Sequence, residues 1–247
     1  MKYFMCAFLL IFIPTIALGA AGTTVTYEVG GQSYEGYFIS PNEQAPFLFL
    51  IHDWDGLTDY EVKRADMLAD LGYAVFAADL FGAGVRPTEL NDKRQHTGEL
   101  YKDRAKMRAL MKGALNTAEE KGADIENGVA FGYCFGGAAV LELARSGENM
   151  KGFATFHGGL KTPVGQNYIN AQGKMLIMHG SADTAITMDQ FAALTNELET
   201  AGVPHEMISY GGAQHAFTVF GGTRYQELAD KKSWQHFLGF LADTLKN

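Results

Sequence analysis

A cysteine stands where the sequence predicts a sharp turn from a strand into a helix. Residues 132–137 read GYCFGG, after an apolar stretch typical of a buried strand. This is the G-x-S-x-G pattern of a nucleophile elbow, with cysteine in place of serine. Gly132 and Gly136 leave room for a tight turn, and the following helix amino terminus favours a thiolate. The pattern predicts that Cys134 is a nucleophile, and the alternative is an inert cysteine beside a glycine-rich turn.

Two residues farther along the chain could activate this sulfur. Asp183 follows an apolar run, and a carboxylate just past a strand end can orient a catalytic histidine. An aspartate at such a place can also be a turn or N-cap residue. His215 lies in a glycine-rich loop, where a general base could reach over the sheet edge. The order Cys134, Asp183, His215 is the nucleophile–acid–base order of α/β-hydrolases and predicts a catalytic triad.

The loop HDWDG at residues 52–56 could stabilise the negative charge that develops during acyl transfer. A loop after an early buried strand supplies the second oxyanion donor in α/β-hydrolases. We therefore expect the backbone N–H groups of Trp54 and Phe135 to form an oxyanion hole. Asp53 could modulate the thiol of Cys134 by holding it protonated or by accepting its proton. The alternative for Asp53 is an Asx turn.

Several residues near the predicted strand ends are candidates for the substrate pocket. We single out Phe81, His157 and Phe217, although such residues also fill protein cores. The remaining histidines are expected to be structural. No metal site is predicted, because His52 and Asp53 lack the spacing of a zinc-binding pair. The sequence also lacks a dinucleotide fingerprint and a P-loop, so we expect no cofactor.

Strand and helix patterns alternate along the chain, which predicts an α/β fold with a mostly parallel sheet flanked by helices on both faces. Predicted strands cover residues 23–29, 34–40, 47–51, 73–78, 128–133, 151–156, 175–178 and 205–209. Predicted helices cover residues 58–70, 99–121, 136–146, 188–200 and 224–245. The polar residues 86–98 are expected to form a lid or rim, or else a solvated loop.

Composition limits the class of protein. The chain has 247 residues, 47% of them hydrophobic and 19% charged, as in a globular protein. It has neither an internal repeat nor a linker after residue 22, so residues 22–247 are predicted to form a single domain. The net charge of −8 argues against a nucleic-acid surface, which needs clustered lysines and arginines. We expect a small-molecule partner, and the oligomeric state stays open.

Residues 1–21 have the pattern of a signal peptide. Lys2 precedes an apolar run that Pro14 ends, and small residues follow. A membrane anchor is the alternative, but the apolar run is short for a span of about 20 residues. Cleavage would give an exported, periplasmic protein without stable membrane insertion. It would also remove Cys6 and leave Cys134 as the lone cysteine.

Over residues 25–245 the chain resembles the dienelactone hydrolase family. The motifs that carry this resemblance are HDWDG at 52–56, ADLFG at 78–82, GYCFGG at 132–137, HGSAD at 179–183 and HAF at 215–217. The resemblance implies an α/β-hydrolase fold, a triad of Cys134, His215 and Asp183, and neither a metal nor an organic cofactor.

Three positions depart from the family pattern. The family carries a glutamate in the loop matching residues 52–56, where it switches the cysteine between thiol and thiolate; here Asp53 stands, one methylene shorter. The best-known members hold a substrate carboxylate with two arginines. Val219 occupies one of those positions, and Arg86 is displaced from the other. These departures imply that the carboxylate clamp is weakened or absent, and the resemblance does not identify the substrate.

These patterns predict an exported hydrolase that cleaves ester, lactone or thioester bonds through an acyl-enzyme on Cys134. The second hypothesis is a protein that binds a small ligand on a hydrolase scaffold without turnover, because fold does not fix function. A redox role is disfavoured, since the sequence contains no Cys-x-x-Cys pair.

Overall fold

A computed structural model describes residues 21–245 of the chain. The predicted signal peptide, with Lys2, Cys6 and Pro14, therefore falls almost entirely outside the described residues. Eight strands form one sheet: β1 (Thr23–Val29), β2 (Gln32–Ile39), β3 (Phe47–Ile51), β4 (Ala74–Ala78), β5 (Val129–Tyr133), β6 (Gly152–Phe156), β7 (Lys174–Gly180) and β8 (His205–Tyr210). The helices are α1 (Asp59–Ala69), α2 (Leu90–Lys102), α3 (Arg104–Glu120), α4 (Phe135–Arg145), α5 (Met188–Ala201) and α6 (Glu227–Thr244), with a short 3-10 helix at Ile125–Asn127.

The strand order is β1-β2-β4-β3-β5-β6-β7-β8. All pairings from β4 to β8 are parallel, whereas β2 pairs antiparallel with both β1 and β4. Gly30 and Gly31 alone form the turn between β1 and β2, and both have the positive φ that such a two-residue turn requires. The fold is therefore the predicted mixed α/β sheet, with parallel strands at its centre.

The central strands are apolar along their whole length because helices cover both faces of the sheet. In β3, alternate residues face opposite sides: Phe49 and Ile51 pack under the helices α3, α4 and α5, while Leu48 and Leu50 pack under α1 and α6. The carboxyl ends of the parallel strands thus lie along one edge of the sheet, where the loops carry the candidate site residues.

The segment 86–98 differs from the predicted loop. Helix α2 begins at Leu90, and Asp103 separates it from α3, so the predicted single helix over 99–121 is two helices. Asp103 caps α3 by accepting a hydrogen bond from the backbone N–H of Lys106 at 2.8 Å. Apolar periodicity could not reveal α2, because Thr97 and Leu100 are its only buried residues.

Within residues 21–245, every helix is too short or too polar to cross a bilayer.

Candidate active site

The turn after β5 has the strained geometry of a nucleophile elbow. Cys134 has a φ of 51°, in the region that side chains rarely adopt, and it precedes α4 directly. A Cβ atom on Gly136 would lie 2.1 Å from the backbone oxygen of Ile51, and one on Gly132 would lie 2.5 Å from Gly136. Any side chain at these two positions would therefore push β5 away from its neighbours. The glycines explain how the sulfur can be lifted above the sheet edge.

The structure brings the three predicted triad residues together from three strand ends. Nε2 of His215 lies 3.1 Å from Sγ of Cys134, and Nδ1 of the same ring lies 2.7 Å from Oδ2 of Asp183. When Nδ1 donates its proton to the carboxylate, Nε2 is left to accept the proton of the thiol. The arrangement can move a proton from sulfur to imidazole.

Asp183 accepts hydrogen bonds both from the loop that follows it and from His215. Its Oδ1 accepts the backbone N–H groups of Ala185 and Ile186, each at 2.9 Å, while its Oδ2 accepts from His215. Burial raises the pKa of Asp183, but the hydrogen bonds from His215 and Ile186 outweigh it and lower that pKa below its usual value. Asp183 is therefore both a turn residue and a hydrogen-bond partner that orients His215. Its carboxylate stays ionised beside the imidazole.

The burial of Cys134 favours the thiol form of its side chain. Desolvation raises the pKa of Cys134 far above its ordinary value, and the negative charge of Asp53 acts in the same direction. The backbone N–H of Phe135 points toward the sulfur and lowers the pKa by a smaller amount. The amino terminus of α4 therefore does not offset the effect of burial on this pKa, and His215 is the base placed to take the proton of the sulfur.

Three buried or half-buried carboxyl groups lie in and beside the loop after β3. Burial and the neighbouring Asp55 raise the pKa of Asp53 well above its usual value. Hydrogen bonds to Asp53 and Lys93 outweigh burial and lower the pKa of Asp55. Glu61 accepts the backbone N–H of Asp53 at 3.2 Å, and burial raises its pKa to about 7. Asp53 is also an Asx-turn residue, because its Oδ1 accepts the N–H of Asp55 at 3.0 Å.

The two predicted oxyanion donors lie on neighbouring elements. Phe135 is the first residue of α4, and its N–H faces the sulfur of Cys134. Trp54 lies in the loop after β3, where Lys93 Nζ stands 5.4 Å from the centroid of its indole ring. The participation of the Trp54 N–H in an oxyanion hole stays a prediction.

The three predicted pocket residues differ in position. Phe81 is half-buried and contacts the rings of His96 and Phe135, with centroids 5.2 and 5.5 Å away. His157 and Phe217 have no exposed surface, which fits the alternative that they fill the core and not the candidacy for the substrate pocket. They lie behind His215, because the His157 ring packs against both, with centroid distances of 5.3 Å. Strand-end position alone could not separate a pocket wall from a buried support.

Tyr101 is a site residue that the sequence analysis missed, because it fell inside a predicted helix. Its ring packs edge-on against Phe135 at 5.5 Å, next to the elbow. Desolvation and the nearby sulfur of Cys134 raise its pKa. Arg86, which is displaced from the position of a family arginine, lies 3.8 Å from the buried carboxylate of Asp79 and donates to the backbone oxygen of Val85.

Across the part of the chain that the structure describes, no group of three or more histidine, cysteine, aspartate or glutamate side chains is arranged to hold a metal ion. Cys134 is the one free cysteine found between residues 21 and 245.

A mixed sheet with helices on both faces, a strained elbow after β5 and polar residues at the following strand ends together define an α/β-hydrolase fold. The family model for the dienelactone hydrolase family matches residues 34–245. The chain therefore belongs to the dienelactone hydrolase family, within the α/β-hydrolase superfamily, and is a hydrolase of that kind.

Individual relatives agree with this assignment. The structure called m3DLH is 30% identical, with a TM-score of 0.86, over 92% of this chain and 100% of its own. A dienelactone hydrolase-like promiscuous phosphotriesterase, P91, from metagenomic libraries is 28% identical, with a TM-score of 0.85, over 92% and 99%. A protein of Aquifex aeolicus (strain VF5), named "Putative carboxymethylenebutenolidase", is 22% identical over 91% of this chain and 100% of its own length.

Proposed function

We propose that the protein is an exported cysteine-dependent hydrolase that cleaves ester, lactone or thioester bonds of small molecules. One observation carries the proposal: the imidazole of His215 lies between Cys134 Sγ, at 3.1 Å, and Asp183 Oδ2, at 2.7 Å. This is the geometry in which a base takes the proton of a nucleophile while a carboxylate holds the base in place.

In the first half of the reaction, Cys134 attacks the carbonyl carbon while its proton passes to Nε2 of His215. Asp183 stays ionised and stabilises the imidazolium that forms. The backbone N–H groups of Phe135 and Trp54 stabilise the oxyanion of the tetrahedral intermediate. When the intermediate collapses, the carbon–oxygen or carbon–sulfur bond of the leaving group breaks. The leaving group takes the proton from His215, and the acyl group remains on sulfur.

In the second half, a water molecule gives a proton to His215, and its oxygen attacks the thioester carbon. The carbon–sulfur bond to Cys134 breaks, the acid leaves, and the proton returns from His215 to the sulfur. Activated acyl groups suit this nucleophile, because a resting thiol with a raised pKa must be deprotonated during attack. Amides are poorer substrates, since their leaving groups are harder to expel.

Hydrolysis of p-nitrophenyl acetate by the purified protein tests the proposal. We expect Cys134→Ala and His215→Ala to lose nearly all activity. The matched control is His205→Gln, because His205 lies at the start of β8, at the opposite end of that strand from the loop of His215. Mass spectrometry of the wild type under rapid quench should show the acetyl group on the peptide that contains Cys134. Equal rates for wild type and Cys134→Ala would refute the proposal.

The rival function is binding of a small ligand without turnover. Iodoacetamide labelling and product analysis distinguish the two functions. A hydrolase consumes the ester and loses activity in proportion to alkylation of Cys134. A binding protein returns the ligand unchanged after long incubation, even when its sulfur reacts.

Export is the further part of the proposal, and it rests on the charge and hydropathy pattern of residues 1–21. Expression of the full chain in a bacterium, followed by osmotic shock and mass determination, tests it. A periplasmic protein that lacks about 21 residues supports export, and an intact chain in the cytoplasm or membrane fraction contradicts it.

A further inference from the structure

A groove of about 490 Å³ lies beside the candidate active site. Its walls come from the junction of α2 and α3, from α4, from the segment after β6 and from the start of α5. Four other cavities of the described chain lie at the opposite edge of the sheet, next to the amino ends of strands such as β3, β4, β7 and β8. This groove is therefore placed to receive part of a substrate, whereas those cavities are remote from Cys134.

Three of its lining residues touch the candidate triad or its immediate neighbours. Tyr101 packs on Phe135, the residue that follows Cys134. The N–H of Gly159 donates to the backbone oxygen of Cys134 at 3.4 Å. The N–H of Ile186 holds Oδ1 of Asp183 at 2.9 Å. The groove thus borders the triad, although Cys134, Asp183 and His215 are not among its lining residues.

The charge of the groove is positive, although the whole chain is acidic. Arg104, Arg145 and Lys161 line it, and its described lining includes no acidic side chain. Glu142 lies buried beneath, with its side chain fully inaccessible to solvent. At the rim, Glu197 accepts a hydrogen bond from the hydroxyl of Thr162 at 2.5 Å. The summed positive charge of the arginines around Glu142 is larger than the single negative charge of its carboxylate.

The charge of Glu142 is already balanced by closer partners than Arg104. Arg108 and Arg145 approach its oxygens to 2.6 and 2.9 Å. Arg145 is fixed further by Tyr168, at 2.6 Å, so it serves the structure. Arg104 lies 3.6 Å from Glu142, and its own Nε donates to the backbone oxygen of Tyr101 at 3.0 Å. Its side chain is 22% exposed and lines the groove.

The environment of Arg104 favours an additional anion. Desolvation lowers its pKa below the usual value for arginine; Glu142 acts against this shift, and Arg145 adds to it. A half-buried guanidinium among other cations gains from a carboxylate ligand, which can accept two parallel hydrogen bonds from it. Lys161 is exposed at the same groove and adds a second positive charge.

We propose that this groove binds the carboxylate of an acidic ester, such as a monoester of a dicarboxylic acid, through Arg104 and Lys161. The inference rests on the proposed function, because it assigns a substrate class to the same nucleophile. It does not use the family's carboxylate positions, since Val219 is uncharged and Arg86 does not line this groove. Arg104 belongs to another element, at the start of α3.

A matched pair of substrates tests the proposal: the mono-p-nitrophenyl ester of adipic acid, and the same compound with its free carboxyl methylated. We expect the wild type to prefer the acid by about tenfold or more in kcat/KM, the scale of one hydrogen bond between charged groups. Arg104→Gln and Lys161→Gln should each reduce this preference several-fold, and Arg104→Lys should retain part of it. The suberic acid pair extends the test to a longer chain.

Lys106→Gln is the control, because it removes one positive charge from an exposed position of α3 outside the groove. Its preference should equal that of the wild type. Equal rates for acid and methyl ester in the wild type for both chain lengths, or an unchanged preference in Arg104→Gln and Lys161→Gln, would overturn the inference. If Arg104→Gln does not fold, the preference for the acid measured in Lys161→Gln, a change at an exposed residue, decides whether the inference holds.

Failure of the proposed function has a different signature. In that case the methyl ester is not hydrolysed in a Cys134-dependent manner. Binding of adipate to Cys134→Ala, measured by calorimetry, then tests the groove without turnover. We expect binding that Arg104→Gln weakens about tenfold. No binding, or binding unaffected by Arg104→Gln, contradicts the groove assignment.

Discussion

The ring of His157 packs edge-on against the ring of His215, with centroids 5.3 Å apart and an interplanar angle of 64°. Its Nε2 is tied to the hydroxyl of Thr218 at 2.8 Å. Burial, with a further contribution from His215, lowers the pKa of His157 well below its usual value, so His157 stays neutral. A neutral ring fixed in this way limits the movement of His215 without competing for its proton.

His157→Asn should therefore lower kcat about tenfold and leave KM nearly unchanged, because a small misplacement of the base raises the barrier of the chemical step. Asparagine tolerates the positive φ of 42° at this position, so the backbone should be preserved. Steady-state kinetics with a p-nitrophenyl ester measure the effect. Thr218→Ser, which keeps the hydroxyl, should keep wild-type kinetics, and Thr218→Val, which removes it, should not. An unchanged kcat in His157→Asn would contradict the positioning role.

Asp53→Asn should make the sulfur easier to ionise. The carboxylate of Asp53 raises the pKa of Cys134, and asparagine keeps the oxygen that accepts from Asp55 while removing the charge. Alkylation by iodoacetamide, measured against pH, should therefore begin at a lower pH in the variant. Asp59→Asn, at an exposed position in the first turn of α1, serves as the matched control. Superimposable profiles for wild type and Asp53→Asn would show that Asp53 does not modulate the thiol.

The contribution of Glu61 to the free energy of unfolding should fall as the pH rises from about 4.5 to 7. Burial raises its folded-state pKa to about 7, above the ordinary 4.5 of the unfolded chain. Between these values the folded state binds the extra proton, so the free energy of unfolding falls with rising pH and levels off above pH 7. A shift of this size corresponds to about 3 kcal/mol. The difference in unfolding free energy between wild type and Glu61→Gln, measured by urea denaturation, should follow this pH course. Parallel pH dependences of the unfolding free energy in wild type and Glu61→Gln would contradict this prediction.

Asp230→Ala should destabilise the fold by about 3–5 kcal/mol, because it leaves the buried guanidinium of Arg64 without its carboxylate. These side chains are 1% and 7% exposed and join α1 to α6. Arg64 also donates to the backbone oxygen of Thr218 at 2.9 Å, so the pair supports the loop behind His157. Guanidinium denaturation measures the loss. Glu227→Ala, which breaks an exposed pair with Lys231, should change stability little. A loss of unfolding free energy in Asp230→Ala no larger than the loss in Glu227→Ala would contradict the prediction.

Local patterns predicted the parts of the site that depend on neighbours in sequence. The elbow around Cys134 could be predicted because its glycines lie two residues away on either side, and the turn requires them. The sheet followed from continuous apolar runs such as Phe47–Ile51. Asp183 and His215 could be identified because each follows such a run at a strand end.

Contacts between distant residues could not be predicted in this way. His157 meets Thr218 across 61 positions, and Arg64 meets Asp230 across 166. Single-sequence patterns contain no information on which buried polar groups pair across the sheet, so the support behind His215 appeared only in the structure. Helix α2 was missed for a different reason: it lies at the rim and has too few buried residues to show an apolar period.

Among residues 21–245, the non-glycine residues with positive φ are Cys134, His157 and Ala216, and all three follow the ends of parallel strands at the candidate site. Cys134 precedes His215 by 81 positions in the chain. During synthesis the sulfur therefore leaves the ribosome well before its base does. A nascent or truncated chain that ends before residue 215 carries the thiol without the proton acceptor. Recovery of activity after dilution from denaturant would consequently report the completion of the sheet as far as β8.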